Sequence, residues 1–290
     1  MSAIYRRELK ANFCSMTGTI FIVFTLVMLG IYCGDSTFAA GSAHLEYAIY
    51  NASFLSLLTV PILTMRAFSE ERQSKTDQLL YSLPLTTGDI VLGKFFALAT
   101  VMAVPAAMLC IYTLVVASFC VAGTINFAVI FATILCYYLL GCAVIAICMF
   151  LSSLTESQVI SAVLSIAAVI LLFFMSSFAS MITTSAAVAF VVVMFICAAI
   201  AYIIWLSVKN YLIAGISGAV LMVGATALYV LKSSLYEGLL GKLFHVLAVF
   251  EPIYNFINGI FDVTTLVYYL SVICLFVFFT VQSVEKRRWN

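Results

Sequence analysis

Apolar residues run through this chain in long unbroken stretches, at 13–33, 47–65, 95–120, 126–152, 158–180, 183–208, 211–231 and 263–281. Each is close to or above the about 20 residues that an α-helix needs to cross the hydrocarbon of a bilayer. None shows the alternation of a barrel strand over ten-residue windows, and in lipid a helix satisfies its own backbone groups. The pattern predicts an all-α polytopic membrane protein of about eight transmembrane helices in a single transmembrane domain, 1–290. The alternative is six, since leaving out the pair 183–208 and 211–231, which only Lys209 and Asn210 separate, keeps the count even.

The polar stretches between the runs predict three further elements. Residues 1–12 place Ile4, Tyr5 and Leu9 at helical spacing among Arg6, Arg7, Glu8 and Lys10, which predicts an interfacial helix along the membrane surface. Residues 66–95 form the one long polar interval in the first two thirds of the chain. Residues 232–262 alternate charged and apolar positions, with Leu239, Leu240, Leu243, Phe244, Leu247 and Phe250 at helical spacing, and predict an amphipathic segment at the extracytosolic surface. Pro61 removes a backbone hydrogen bond near the exit of the second run and predicts a kink there. Gly30 with Gly34, and Ser161 with Ser165, are small-xxx-small pairs of the kind found where helices approach closely.

Charge sets the orientation. With eight spans and both termini cytosolic, Arg6, Arg7, Lys10, Arg66, Arg72, Lys75, Lys94, Lys209, Lys286, Arg287 and Arg288 lie inside, and only Lys232 and Lys242 outside. Removing the pair at 183–231 leaves the same sidedness. Composition agrees with the class: 65% of residues are hydrophobic, 9% are charged and the mean hydropathy is +1.21, against roughly 25% charged in a soluble domain. The nine cysteines sit in or at the edges of apolar runs, in no metal-binding or redox spacing, and read as small buried residues.

Little in the chain suggests catalysis. Gly88 to Lys94 fits the first seven positions of a nucleotide-binding P-loop, but Phe95 offers no hydroxyl to Mg²⁺ and the motif leads into a span instead of following a strand. The better reading is a glycine that admits the chain to the span and a lysine at the lipid headgroups. No HExxH motif occurs, and the two histidines, His44 and His245, fall on predicted outside segments; no metal or catalytic residue is expected. No carboxylate or basic residue lies near the centre of a span, where an ion-coupled pump needs one. Energy for any transport has to come from another subunit.

The polar interval is suited to receive it. Ser69-Glu70-Glu71 and Thr76 are helix-start signals, and Leu79, Leu80 and Leu83 put apolar side chains on a short segment stopped by Pro84. From the residues alone, those leucines are covered either by a partner or by the protein's own bundle.

The order of short motifs in and around this interval resembles a known family. They are Leu63 to Arg72, then Thr76-Asp77-Gln78-Leu79-Leu80, Leu83-Pro84 and Leu92-Gly93-Lys94-Phe95. Leu154 to Gln158, Phe256 to Asp262, Tyr268 to Ser271 and Val281 to Trp289 continue the likeness. Together they resemble the permease subunits of type-2 ATP-binding-cassette exporters, in particular the group that includes the gliding-motility-associated permease. The resemblance implies a subunit that pairs with a second permease chain, as a homo- or heterodimer, and with two cytosolic ABC ATPase subunits that hold ATP and Mg²⁺.

It also implies roles for residues. The coupling helix that docks on the ATPase falls between spans two and three, on Thr76, Asp77, Leu79, Leu80, Leu83 and Pro84, with Glu70 and Glu71 in the gate-like segment before it. Arg6, Arg7, Lys94, Arg287, Arg288 and Trp289 are expected at the membrane interface. Lys75 departs from the glycine common at the turn into the coupling helix, and eight spans depart from the six most often found. The expected function is ATP-driven export of a peptide or lipid-like substrate across a cell membrane, a bacterial inner membrane, with membrane lipid and no nucleic acid among its partners. The alternative is a non-transporting scaffold, immunity or sensor subunit bound to an ATPase.

Overall fold

A computed structural model describes residues 2–39, 44–76, 86–119, 126–181, 194, 226 and 239–289. The described residues are helical and contain no strand. In chain order they form α1 (Ser2–Cys14), α2 (Met16–Gly34), α3 (Leu45–Ser53), α4 (Ser56–Thr64), α5 (Ser69–Gln73), α6 (Thr87–Phe119), α7 (Phe127–Leu154), α8 (Gln158–Met181), α9 (Leu239–Leu247), α10 (Ile253–Ile257) and α11 (Val263–Trp289), with a π-helical turn at Asp35–Ala39 after α2. Five of these helices are long and apolar enough to cross a membrane, and the bent pair α3–α4 makes a sixth if it counts as one span. The expected pair at 183–208 and 211–231 lies almost wholly outside the described residues, as do 232–238. By contact the chain divides into two compact units, residues 1–173 with 249–290, and residues 174–248.

The first unit is built around α7. Residues 140–149 are buried on every side, which marks a helix surrounded by other helices. It packs against α3, α4, α6, α10 and α11. Small hydroxyls join the layers: Ser153 Oγ on α7 donates to Ser283 Oγ on α11 at 3.0 Å. Tyr269 on α11 is fully buried and its hydroxyl donates to the Val249 carbonyl at 3.0 Å. On α8, Ser161, Ser165 and Val169 are all at 0% exposure at four-residue spacing, so they form one inward stripe. Gly30 and Gly34, by contrast, have nothing within 4 Å of where a Cβ would sit, so neither marks a close helix contact.

The outer faces of the spans carry exposed Val23, Val27 and Ile31 on α2, Val163 on α8, and Val267 and Phe278 on α11. Such apolar faces suit a lipid surround better than water.

The second span is bent by 51° between Leu45–Ser53 and Ser56–Gln73. The bend differs in place from the one Pro61 predicts, since Pro61 lies inside α4. At the bend Phe54 N and Leu55 N donate to the carbonyls of Asn51 and Ala52, tightening the helix to i→i−3 bonds. Ser53 Oγ and Ser56 Oγ take the carbonyls of Tyr50 and Ser53, each at 2.6 Å. Serine hydroxyls that back-bond in this way bend helices and keep the freed groups satisfied in lipid.

The third span begins earlier than its apolar run. Thr86 Oγ1 donates to Asp89 Oδ2 at 2.7 Å and accepts from Asp89 N at 3.2 Å, which starts α6 in the manner of a capping box. With 33 residues this helix is about 50 Å long, well beyond the about 30 Å of bilayer hydrocarbon. The helix is thus longer than the apolar layer, and Lys94 lies near its start.

Candidate functional site

The charged residues of α1, α5 and the start of α6 meet in one cluster. Ser15 makes this possible: its backbone is extended and its Oγ accepts from Gly18 N at 3.1 Å, capping α2 and ending α1. A Cβ on Gly18 would run into the Asn12 carbonyl, so the elbow needs glycine. The helix breaks there, and α1 lies against α2 and α6. Ile4 is buried at the Gly93 position of α6, where an added Cβ would sit 3.0 Å from Ile4 Cγ2. Tyr5 Oη and Thr100 Oγ1 share a hydrogen bond of 3.0 Å about two turns further along α6. Residues 2–12 thus form part of a longer helix, Ser2–Cys14, one face of which packs on protein.

Lys94 is the centre of the cluster. The sequence expectation places it at the lipid headgroups, but it is only 3% exposed. Its Nζ lies 3.3 Å from Glu8 Oε1 and 3.0 Å from Glu71 Oε2. It also donates to the Ala67 carbonyl at 2.8 Å and sits 5.3 Å from the centroid of the Phe68 ring. Arg7 joins the same carboxylates, at 2.6 Å from Glu8 and 2.8 Å from Glu71. A buried ammonium needs such partners, because leaving water is costly for an unpaired charge. Burial alone raises the Glu8 carboxyl, but Lys94 and Arg7 outweigh it and hold the group below its ordinary range.

The segment carrying Glu71 is itself fixed at both ends. At its start, Ser152 Oγ from α7 accepts from Phe68 N and Ser69 N and donates to the Met65 carbonyl at 3.2 Å. Arg66 grips Glu70 with two bonds, Nε–Oε2 at 2.8 Å and Nη2–Oε1 at 2.6 Å. At its end, Thr76 N donates to the Glu71 carbonyl and Lys75 N to the Arg72 carbonyl, the pair of bonds that defines a Schellman cap. Lys75 holds the left-handed position of that cap with φ of 56°, where glycine has no steric cost. The departure from glycine noted in the sequence therefore falls on a position that requires positive φ. Arg72 is buried within the same short helix.

A polar cavity of about 150 Å³ lies under the elbow, with Glu8, Asn12, Ser15, Arg66, Glu70 and Lys94 in its wall. Asp77, Leu79, Leu80, Leu83 and Pro84 lie outside the described residues, which stop at Thr76 and resume at Thr86. Arg6 is exposed, and Arg287 near the end of α11 pairs at 3.2 Å with Glu156 in the link between α7 and α8. The helix reaches Trp289, but the side chains of Arg288 and Trp289 also lie outside the description.

Ser152, Glu8 and Thr100 are members of this arrangement that the sequence reading assigns no role. Lys94 is marked in the sequence as a lone lysine beside a glycine at the edge of an apolar run, but nothing local names Glu8 and Glu71 as its partners.

A bundle of apolar helices whose first unit gathers its cations at one end, where a short capped helix is held, defines a multi-pass membrane protein. Residues 36–281 match the model of the ABC-2 family transporter protein, and the chain belongs to that family. It is a membrane permease component of an ABC transporter and works with an ABC ATPase subunit. Comparison with curated proteins gives no match.

Proposed function

We propose that this chain is the permease subunit of a type-2 ABC exporter in the gliding-motility-associated group, placed in a bacterial inner membrane with both termini in the cytosol. It pairs with a second permease chain and with ATPase subunits that bind ATP and Mg²⁺, and has no catalytic site of its own. Closure of the ATPases pushes on a coupling helix at residues 76–83, with Leu79 and Leu80 as its buried anchors and Asp77, Leu83 and Pro84 setting its ends. Arg6, Arg7, Arg287, Arg288 and Trp289 sit toward the lipid headgroups.

The observation that carries the reading is the Lys94 cluster. The short helix before residue 76 is joined through Glu71 to Lys94 on the third span and to Arg7 on α1. It is also joined through Ser152 to α7. A displacement at Thr76 is thereby passed to two spans and the surface helix at once, through contacts that are mostly buried and so little screened by salt. Glu70, held by Arg66, keeps the segment in line.

The test is co-purification of the ATPase with a permease in which Leu79 and Leu80 are both replaced by Asp. Apolar side chains desolvated at the centre of an interface dominate its energy, so the ATPase is expected to be lost. Undiminished co-purification would overturn the assignment of the docking helix. If the ATPase binds the wild-type chain but no ATP-dependent flux of any substrate follows in proteoliposomes, the non-transporting alternative replaces this one.

A further inference from the structure

The cations of the first unit are confined to one end of its helices, where carboxylates pair with many of them. Its Lys and Arg residues fall at 6–10, 66–94 and 286–288, whereas the other end carries Asp35, Glu46, Glu251 and Asp262 with no Lys or Arg in sequence beside them. On the acidic side of the bend between α3 and α4 lies a cavity of about 290 Å³. Five aromatic rings line it, those of Tyr32, Tyr50, Phe54, Phe173 and Phe250, together with the amide of Asn51.

The rings are held by one another. Phe173 meets Phe54 and Phe250 edge-on, each at 5.5 Å between centroids, and Tyr254 braces Tyr50 at 6.1 Å. Glu46 stands one helical turn before Tyr50, and Glu251 adjoins Phe250 in sequence. The Glu46 side chain is 12% exposed and lies 2.8 Å from His44 Nδ1.

Aromatic faces carry the negative part of a quadrupole and attract cations, most of all those that cannot satisfy hydrogen bonds. Glu46, one turn from Tyr50 on α3, and Glu251, next to Phe250 in sequence, add longer-range attraction for a cation and repulsion for an anion. Phe54 and Leu58 are half-exposed on the same bent span and offer an apolar flank for a tail.

Building on the permease reading, we infer that the cavity takes the alkylated-ammonium end of an amphiphilic cation, with the apolar part lying along the Phe54 and Leu58 flank. This names the class of substrate: a positively charged amphiphile, not an anionic or neutral one. Binding needs no covalent step.

The test uses the purified full-length chain in an uncharged maltoside detergent, without ATPase, and equilibrium dialysis with labelled phenyltrimethylammonium. Saturable binding is expected, with benzenesulfonate and the neutral isostere tert-butylbenzene each at least about tenfold weaker, the discrimination a desolvated cation–π site gives. Tyr50→Leu and Phe54→Leu keep apolar bulk and remove a ring; each should weaken binding of the cation by roughly tenfold, and Glu46→Gln by a smaller factor. Thermal melting of each variant checks its fold, and Glu46→Gln, which keeps shape, stands in if a ring variant fails to fold. Equal binding of benzenesulfonate or tert-butylbenzene, or wild-type affinity in the folded variants, would overturn the inference. Because the ATPase is absent, failure here with co-purification intact refutes only the substrate class. Loss of docking with cation binding intact refutes only the coupling assignment.

Discussion

Lys94 brings together four parts of the chain, and removing it should separate them. Lys94→Met leaves Glu8 and Glu71 facing each other half-desolvated beside Arg7, and should lower stability by about 3 kcal/mol, the usual cost of breaking a buried ion pair by deleting one partner. Thermal melting of the purified chain measures this. Glu8 adds a pH dependence whose sign follows from its depressed titration. The unfolded chain protonates this carboxyl near its ordinary value of about 4.3, the folded chain only below it. The contribution of Glu8 is therefore full above that value and is lost as pH falls through the lowered one; a Glu8→Gln chain should melt with a flatter acid limb. Lys75 offers the opposite case. With φ of 56° it bears a left-handed backbone that costs a non-glycine residue about 1 kcal/mol, so Lys75→Gly should raise the melting temperature despite glycine's entropy. The two glycines of the P-loop-like motif should also part company. Gly88→Ala meets nothing closer than 4.0 Å and should be neutral or stabilising, while Gly93→Ala pushes on Ile4 and should destabilise.

At the level of elements, the third and fourth spans and the last were legible because bilayer thickness sets a length that apolar runs must meet. Their ends were less so. The helix start at Thr87 falls inside the polar interval, because a helix that leaves the hydrocarbon no longer needs apolar residues, and only the Thr86–Asp89 cap marks it. The bend of the second span was misread for a physical reason: Pro61 is a strong local signal, whereas Ser53 and Ser56 bend the helix through hydroxyls that look ordinary in sequence. Lys94 was misread because its carboxylate partner Glu8 lies 86 positions away, a pairing no local pattern encodes. Ser152 was missed for the same reason, since its role depends on backbone groups at 65–69. Replacing it with Ala leaves the N–H groups of Phe68 and Ser69 without that acceptor, and should cost about 1–2 kcal/mol, read as faster proteolysis at residues 66–76.

For the whole molecule, the charge sorting that orients the chain and the cluster that ties α1, α5 and α6 have a single origin: the cations are kept at one end, and there some of them are turned inward. The expected eighth-span count is tested by cysteines placed at Lys209 and Lys242 in a chain lacking its native cysteines. An impermeant maleimide added from outside should label only the second; labelling at Lys209 would remove the threading through 183–231. The central claim is that force from the ATPase passes through Glu71 to Lys94, and it is tested most directly by the ATP hydrolysis rate of the reconstituted complex carrying Glu71→Gln. The account predicts that the ATPase still co-purifies, since Leu79 and Leu80 are untouched, but that the permease-dependent part of hydrolysis is lost. A complex that hydrolyses ATP at the wild-type permease-dependent rate would contradict it.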